Sequence, residues 1–459
     1  MTKRMRIAAA VAASLLVSGS ARAQDPLGAY VREGLRANLG LAQQRLEAGR
    51  AEAAVRQARG MYLPSVTVDS RYSQTAGGMN IGDLVNPAYA ALNQLMQTTQ
   101  FPTNVNARLP YAQETRLRVT QPVFQPAVRQ NHRIQRSLRD AQRQGTRAGA
   151  RQLAADVQTA YLNLARAERV VELYRNTLPL LAENLRVSES LLRNGRATSE
   201  IVYRARAEEK ETEQRLAEAG QLRDAARRYF NFLLDRPDET AVQLVADSLL
   251  AFPLTVTVDE ALARARAGRE ELAQAGHAIQ AAEAQRGLAR AAYLPGVSLA
   301  LDYGFQGDRY QFDANHDFAM ASLVFSWNVF NGGQDAARRR IATLATEQAR
   351  TGRTEAERRI EMQVRQAYQA AVVARGAIET ADARLAAARR TFELVTRRWQ
   401  EGIAPQIELV DARTAFTNAQ LNRILTGYEY ALRYVELERA AALRELGDVV
   451  DATGAEGAP

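Results

Sequence analysis

The second half of this 459-residue chain repeats the plan of its first half, and this duplication limits the possible folds more than any other feature. Three pairs of matching stretches share one separation of 207 positions: Ala160–Tyr161 with Ala367–Tyr368, Gly195 with Gly402, and Ala205–Arg206 with Ala412–Arg413. Two looser matches precede them, Tyr62–Pro64 with Tyr293–Pro295 and Val123–Phe124 with Val329–Phe330. A constant separation over about 45 residues predicts duplicated helical segments of equal length.

Each copy contains a stretch with the heptad spacing of a coiled-coil seam. Positions along the seam advance by alternating steps of three and four residues: Leu178, Leu181, Leu185, Ser188 and Leu192 in the first copy, and Ile378, Ala381, Leu385, Ala388, Phe392, Val395 and Trp399 in the second. The surrounding sequence predicts two helices of 68 residues, 127–194 and 334–401. At a rise of about 1.5 Å per residue, each would be about 100 Å long. An ordinary helical bundle is the alternative, and the near-identical length of the two helices disfavours it.

The sequence also predicts where the long helices are interrupted and where they end. Pro179 lacks a backbone donor and predicts a kink or a local break inside the first long helix. Gly195 and Gly402 favour a helix C-terminus with positive φ, after which the chain reverses. Ser199 is the expected N-cap of the first returning helix, and Pro405 suits the first turn of the second. Each copy is therefore expected to contain a long helical hairpin.

Four segments alternate with the period of a β-strand: 65–73, 115–124, 296–306 and 318–330. Their lengths suit tilted membrane strands, and the charged residues opposite the apolar ones suit a water-filled lumen. A soluble hairpin with one face on a core has the same pattern and remains open as an alternative. In the first copy, three residues are expected to pair with three on the next strand: Val66, Val68 and Tyr72 with Leu117, Val119 and Val123.

A long loop of about 74–113 separates the first two strands, and it is much longer than its counterpart at 306–317. Glycines and prolines dominate its turns, which favours irregular structure. We expect this loop to be extracellular. A short helix over 89–96 would cover or narrow the mouth.

The N-terminal residues have the composition of a secretory signal peptide. Lys3, Arg4 and Arg6 precede an apolar stretch at 7–17, and the small-residue site that ends at Ala23 predicts cleavage there. Removal of 1–23 takes away four basic and no acidic side chains, which lowers the formal charge from +9 to +5. No later stretch has the roughly 18 to 20 apolar residues of a spanning helix, so any membrane crossing would use strands.

The remaining chain divides according to the duplication. The first structural repeat is expected at 24–234 and the second at 259–446, with a connecting segment at 235–258 between them. Residues 447–459 are expected to form a flexible tail. No linker rich in proline, glycine or serine separates the repeats, so one repeated architecture is favoured over several independent domains.

The composition leaves little from which to build a catalytic or metal site. The chain has no cysteine, which excludes disulfides, thiolate metal sites and a cysteine nucleophile. Its three histidines are His132, His277 and His316, and no hydrolase, zinc-protease or phosphate-loop motif is present. Lysines and arginines are interspersed with acids rather than gathered in one patch, which disfavours nucleic-acid binding. The sequence predicts no enzymatic activity, cofactor or metal.

The duplicated motifs, taken in order, resemble the TolC-like outer-membrane efflux proteins, also called outer membrane factors. The matching residues are the Tyr-Leu-Pro entries into strands, the Val-Phe exits into long helices, the two turn glycines and the stretch 407–413. The resemblance covers nearly the whole chain after the signal segment. It implies an α + β membrane protein in which three chains contribute four strands each to a twelve-strand β-barrel. The barrel would continue into a long α-helical coiled-coil tunnel, with a belt built from 235–258.

The function implied by the resemblance is a passive export duct. It would lie in the outer membrane of a Gram-negative bacterium, extend into the periplasm and work with a periplasmic adaptor and an inner-membrane pump or ATP-driven exporter. The cargo would be small molecules such as drugs or metals, or proteins in type I secretion. The alternative is a periplasmic coiled-coil adaptor or structural protein without a channel, which usually has one hairpin and no membrane strands.

The resemblance also implies a gate at the periplasmic entrance. Glu408 and Asp411, three residues apart after the second turn, match acidic residues that ring this entrance in the family. Three chains would place six carboxylates around one axis, which would attract cations. Because both acids fall near the start of a helix, stabilisation of the helix dipole is a simpler alternative.

Further residues around the two turns complete the expected site. The resemblance implies polar links between the hairpins in the closed state, but Ile201 and Ala404 occupy the positions of the expected polar partners. Trp399 and Glu200 are therefore the expected substitute gate residues. The tips of the hairpins are expected to contact the adaptor, through Gly195, Arg196, Gly402 and Ile403.

Overall fold

The computed structural model describes residues 26–74, 79–106, 108–109, 112–245, 252–307 and 309–446. The expected signal segment and C-terminal tail lie outside these residues, as do 246–251 of the connecting segment and parts of the first loop. The elements of the first copy are α1 (Pro26–Ala37), α2 (Leu39–Gly60), β1 (Ser65–Tyr72), β2 (Met79–Asn80), α3 (Ile81–Leu95), β3 (Arg108–Leu109), β4 (Gln113–Phe124), α4 (Pro126–Arg193) and α5 (Ser199–Leu233). Those of the second copy are α6 (Val258–Gly268), α7 (Glu270–Ala291), β5 (Gly296–Gly307), β6 (Asp317–Ser326), α8 (Gln334–Gln400) and α9 (Gln406–Ala440).

The two long helical hairpins match each other closely in length. Helices α4 and α8 have 68 and 67 residues, and α5 and α9 have 35 each. Pro179 does not break the first long helix, because α4 continues through this residue, and the expected kink stays a prediction. A proline removes one backbone hydrogen bond from its helix, and the uninterrupted bonding on both sides maintains the rest. The equal lengths agree with the constant separation in the sequence.

The helix starts differ by one position from the sequence expectation. Thr198, in an extended conformation, is the N-cap of α5, and the expected cap Ser199 is the first helical residue. Pro405 likewise precedes α9 as its N-cap rather than lying inside the first turn. Both N-caps have ψ above 150°, so the helical conformation begins only at the following residue.

The main sheet is antiparallel and has the strand order β1-β4-β5-β6. Val66 lies opposite Val119 and Val68 opposite Leu117, as expected, whereas Tyr72 faces Gln113 rather than Val123. The register therefore places these apolar residues on one face of the sheet. β1 and β6 are the two edge strands of this sheet.

The last strand is shorter than expected. β6 ends at Ser326 rather than at 330, opposite Gly296, the first residue of β5. Pro295 precedes β5 and has no backbone donor, so the pairing cannot continue in the same way beyond this point. Trp327 instead donates from its indole Nε1 to the carbonyl oxygen of Tyr293, at 3.1 Å.

The other face of the sheet carries charged residues in ion pairs. Arg118 donates two hydrogen bonds to the carboxylate of Asp302, at 2.6 and 2.9 Å, and these residues are cross-strand neighbours on β4 and β5. Arg116 on the same face lies 2.8 Å from Glu114 and 3.6 Å from Asp69. The sheet therefore has one apolar face and one face with compensated charges.

The helix in the first loop is longer than the sequence predicts. α3 begins at Ile81, eight residues before the expected start at 89. The side chain of Asn80 caps it by accepting a hydrogen bond from the amide of Gly82, at 3.0 Å. Pro87 favours a loop in the sequence, but inside α3 it removes only one backbone hydrogen bond.

The described residues cluster into two compact units. One contains the described parts of 1–49, 143–274 and 353–459, and the other those of 50–142 and 275–352. The first unit holds the hydrophobic core, in which Tyr161, Phe230 and Val157 are fully buried. The second unit holds the four-stranded sheet. Within the described residues, no helix combines the length and the apolar character needed to span a membrane.

One buried ion pair joins the two copies inside the first unit, and Arg269 adds contacts within the second copy. Arg151 of α4 donates to the carboxylate of Glu270, at 2.6 Å, and to the carbonyl oxygen of Arg444, at 2.8 Å. Arg269 donates to the carbonyl oxygen of Ala440, at 3.0 Å, and to Glu271. The start of α7 and the segment after α9 are therefore fastened to the first copy by directional contacts.

Candidate functional site

Both hairpin turns have the backbone geometry that their glycines predict. Gly195 and Gly402 have φ values of +68° and +75°. At the first turn, the amides of Gly195 and Arg196 donate to the carbonyl oxygens of Leu192 and Leu191. At the second, the amides of Gly402 and Ile403 donate to those of Trp399 and Arg398. Both are Schellman motifs, and Gly195, Arg196, Gly402 and Ile403 are all exposed.

The two expected gate acids lie at the start of α9, where the second turn places them. Glu408 approaches Arg398 of the partner helix α8, with 3.6 Å between the carboxylate and the guanidinium. Asp411 is exposed and forms no ion pair with the described residues of this chain. Both side chains are therefore accessible to solvent or to another chain.

The other two gate candidates are not joined to these acids. Glu200 lies in the first turn of α5 and is 3.4 Å from Arg204, one helical turn further along. Trp399 is partly buried near the end of α8. No hydrogen bond or ion pair among the described residues links either one to Glu408 or Asp411.

The polar links between the hairpins come from residues that sequence reasoning missed. Gln406, the first residue of α9, donates from its side-chain amide to the hydroxyl of Ser188 at 2.7 Å. The same amide lies 3.4 Å from the side-chain oxygen of Asn184. Because Ser188 is fully buried, a polar residue at this position of the apolar seam was the signal that could have revealed the link.

An ion pair forms the second link between the hairpins. Arg413 of α9 donates to the carboxylate of Glu208 on α5, at 2.5 Å, and the Thr414 hydroxyl lies 3.3 Å from the same carboxylate. The Arg413 side chain is 8% exposed and that of Glu208 is 18% exposed, so solvent screens this pair poorly. Ile201 and Ala404, where the sequence suggested that links are lacking, are not needed for it.

Apolar packing completes the second hairpin. Phe392 of α8 stacks on Phe416 of α9 with 5.6 Å between ring centroids, and the Arg389 guanidinium lies 5.9 Å from the Phe416 ring. Leu409 and Ala412 are buried beside Arg413. Adjacent residues on α9 therefore differ sharply in environment, with Leu409 in the packed interior and Glu408 at the surface.

Near the first turn, one surface acid has a perturbed pKa. The pKa of Glu183 lies below its ordinary value because the Arg186 guanidinium, one turn along α4, donates hydrogen bonds to its carboxylate. This carboxylate stays ionised at neutral pH.

Comparison with known proteins gives a family match in the second copy. The family model for outer membrane efflux proteins matches residues 261–443, which include α7, β5, β6 and both helices of the second hairpin. Residues 261–443 are therefore similar to outer membrane efflux proteins. No curated protein matches the chain by sequence.

Solved structures of outer-membrane channels share the fold of this chain. CusC, which forms a transmembrane channel, has a TM-score of 0.75 at 18% identity, and the match covers 91% of this chain and 92% of CusC. The Campylobacter jejuni outer membrane channel CmeC has a TM-score of 0.75 at 16% identity, covering 91% and 85%. The open state of the Neisseria gonorrhoeae channel MtrE gives 0.72 at 18% identity, covering 90% and 88%. These matches confirm the expected fold of the single chain.

Proposed function

We propose that this chain is the outer-membrane channel of a tripartite export system and acts as a trimer. The observation that carries the proposal is the four-stranded sheet with two unpaired edges, on a chain that also has two equal long hairpins. The duct is passive and has no catalytic step. Its cargo is either small molecules or, in type I secretion, a protein.

The open strand edges require association with other chains, and the resemblance to outer membrane factors implies that the number of chains is three. In lipid, unsatisfied backbone groups at an open edge are too costly, so the edges β1 and β6 must pair with other chains. Three copies supply twelve strands, and β6 of one copy pairs with β1 of the next. The apolar face of each sheet then meets lipid.

The charged face of the sheet suits the lumen of such a barrel. Arg118 and Asp302 satisfy each other, as do Arg116 and Glu114, so the lumen is polar but its fixed charges are compensated. A wet lumen with paired charges allows passage without a strong binding site. Selectivity for cargo then lies in the inner-membrane partner, a pump or ATP-driven exporter.

The hairpin ends form the periplasmic entrance in this proposal. Three copies bring together six carboxylates from Glu408 and Asp411, and mutual repulsion favours cations at this ring. Within each chain of the trimer, the Arg413–Glu208 and Gln406–Ser188 links hold the two hairpins together.

The turns themselves are the proposed docking points for the periplasmic adaptor. Gly195, Arg196, Gly402 and Ile403 are exposed, and the Ile403 side chain is an apolar tip. A periplasmic adaptor function for this chain itself is the alternative. It is disfavoured because such a protein needs neither a second hairpin nor a four-stranded sheet with an apolar face.

Single-channel recording tests the proposal. Purified parent protein in a planar bilayer is expected to give cation-selective currents that trivalent cations block. The variant Glu408→Ala/Asp411→Ala should lose most of the cation preference and of the block. Glu429→Ala, which removes an acid further along α9, serves as the control and should retain both.

The possible results separate the channel from its gate. Absence of any conductance from folded parent protein contradicts the channel. Normal conductance with unchanged selectivity in the double variant would support the channel but contradict the carboxylate ring. The two acids would then serve only to stabilise the start of α9.

A further inference from the structure

Helix α3 in the loop between β1 and β4 exposes its apolar side. Leu84 and Leu95 are 80% and 85% exposed, and Leu92 lies on the same side. Together with Ala88 they follow the helical spacing, at positions 84, 88, 92 and 95. We name these four residues the α3 stripe. An amphipathic helix of one chain normally turns such a stripe inward, so this one requires another surface to cover it.

The opposite side of α3 is fastened to its own loop. The Asn86 side chain donates to the carbonyl oxygen of Val105, at 2.9 Å, and accepts from the amide of the same residue, at 2.8 Å. Two turns later, Asn93 makes the same pair of bonds to Phe101, at 2.7 and 3.1 Å. These four hydrogen bonds fix the rotation of the helix, so its stripe cannot turn toward the loop.

A close backbone approach fixes the start of α3 as well. A Cβ atom on Gly82 would lie 1.8 Å from the carbonyl oxygen of Val105, so only glycine fits at this position. The Tyr89 ring packs against that of Phe101, with 5.7 Å between centroids. The loop is therefore built to present the α3 stripe outward.

The charge of the segment around α3 indicates whether a lipid surface or another copy of the chain covers the α3 stripe. Asp83 is the only charged residue between 79 and 106. Helices that lie on anionic membrane surfaces carry lysines and arginines beside their apolar face, and this segment has none. An uncharged apolar stripe is complementary to an identical stripe.

The position of α3 in the chain allows contact between the α3 helices of different chains. This inference rests on the trimer of the proposed function. α3 follows β1, the edge strand that pairs with the next chain in that trimer. Strands about 4.8 Å apart and tilted by about 40° give a twelve-strand barrel a diameter of about 24 Å. A helix of 15 residues is about 22 Å long, so each of three copies can reach the axis.

We propose that the three α3 helices of a trimer meet at the outer mouth through their stripes and form an apolar constriction. Such a constriction restricts water and hydrated ions by dewetting. It is a second barrier, separate from the carboxylate ring at Glu408 and Asp411. The occupant of each exposed stripe is the α3 helix of another copy.

Cysteine cross-linking tests the contact, because the chain has no cysteine of its own. Leu95→Cys introduces one thiol on the stripe, and Thr99→Cys places one on an exposed position after the helix as the matched control. Oxidation of intact cells is expected to link two of the three chains of Leu95→Cys into a disulfide dimer. Thr99→Cys should give at least fivefold less of that dimer.

Conductance tests the barrier itself. The variant Leu84→Ser/Leu92→Ser/Leu95→Ser should raise single-channel conductance at least twofold and admit bulky hydrophilic antibiotics, while the Asn86 and Asn93 bonds retain the helix. Trimeric protein with no Leu95→Cys dimer overturns this inference and leaves the proposed function standing. Quenching of a fluorophore on Leu95→Cys by brominated lipid also overturns it. Absence of a trimer overturns the proposed function, and this inference with it.

Discussion

The two copies of the repeat have nearly the same helices but different environments. Tyr161 of α4 is fully buried between Tyr30 and Phe230, whereas its equivalent Tyr368 on α8 is only partly buried. For the returning helices the order is reversed, because Arg413 of α9 is buried and its equivalent Arg206 on α5 is exposed. At these matched positions, the α4 and α9 residues are therefore buried more deeply than their equivalents on α8 and α5.

The exposed helices show what the difference means for assembly. Helix α5 presents Leu222, Tyr229 and Phe232 to solvent, and α8 presents Met362 and Val373. Duplicated helices with unequal burial fit a chain that is flanked by copies of itself. The outer helices of each copy are covered by its neighbours in the proposed trimer.

Substitution of the two equivalent tyrosines, Tyr161 and Tyr368, is expected to give the largest difference in unfolding free energy between the two repeats. Tyr161→Ala removes a ring from the core and a hydroxyl that accepts from the amide of Val245, so the free energy of unfolding should fall by about 3 to 5 kcal/mol. Tyr368→Ala should cost about 1 to 2 kcal/mol, since less apolar area is lost. Denaturant unfolding at equal protein concentration measures both. Equal losses would contradict the deeper burial of Tyr161.

Substitution of the two equivalent arginines, Arg413 and Arg206, should give the second largest difference in unfolding free energy. Arg413→Ala leaves the Glu208 carboxylate without its partner in a poorly hydrated position, which should cost about 3 kcal/mol. Arg206→Ala loses only an exposed pair with Glu189, worth about 0 to 1 kcal/mol. Removal of both charges in Arg413→Ala/Glu208→Ala should recover part of the loss. No recovery in this double variant would mean that Arg413 acts through packing alone.

Substitution of the two turn glycines should have the same effect on stability and export in both repeats. Gly195→Val and Gly402→Val each force a β-branched residue into the left-handed region, at about 1 to 2 kcal/mol. No atom lies within 4 Å of the added Cβ in either case, so the cost is backbone strain. Export should fall while trimers persist, as measured by cargo release and by the trimer band. Gly220→Val, in the middle of α5, is the control and should export normally.

The smallest expected effect is at helix caps. Thr257 and Glu260 form a capping box at α6, whereas the Thr198 side chain makes no capping bond at α5. Thr257→Ala should therefore cost about 1 kcal/mol and Thr198→Ala close to nothing. Thermal unfolding of both variants measures the difference, and equal shifts would contradict it.

The capping box also has a pH dependence with a definite sign. The pKa of Glu260 is lowered because the amide and hydroxyl of Thr257 donate hydrogen bonds to its carboxylate. Its stabilising contribution is thus complete above the ordinary carboxyl pKa and is lost as the pH falls through the lowered value. The stability difference between parent and Glu260→Gln should shrink from pH 7 to pH 3. A stability difference that stays constant with pH would show that the charge of Glu260 does not contribute to the capping box.

The features that the sequence predicts are those determined by neighbouring residues. The heptad steps, the turn glycines and the alternating strands depend on local spacing, so the helices, reversals and sheet follow from them. Pro87 shows the limit of such reasoning. It favours a loop, yet the bonds of Asn86 and Asn93 to distant backbone groups hold a helix there.

Burial and the links between hairpins depend on tertiary contacts and were not predictable in the same way. Matching Ala-Tyr stretches surround Tyr161 and Tyr368, and nothing local decides which copy lies inside. Arg413 resembles any charge on a solvated helix face until Glu208 is placed beside it. The seam serine Ser188 was the one local sign of a polar link, because its neighbours in the heptad are leucines.

The number of chains in the folded particle tests the central claim most directly. Protein extracted from the outer-membrane fraction in mild detergent should have, after correction for bound detergent, three times the mass of one chain by light scattering. Chemical cross-linking should give a three-chain species as its largest product. A stable single-chain particle in the soluble periplasmic fraction would contradict closure of the sheet edges by neighbouring copies, and with it the channel.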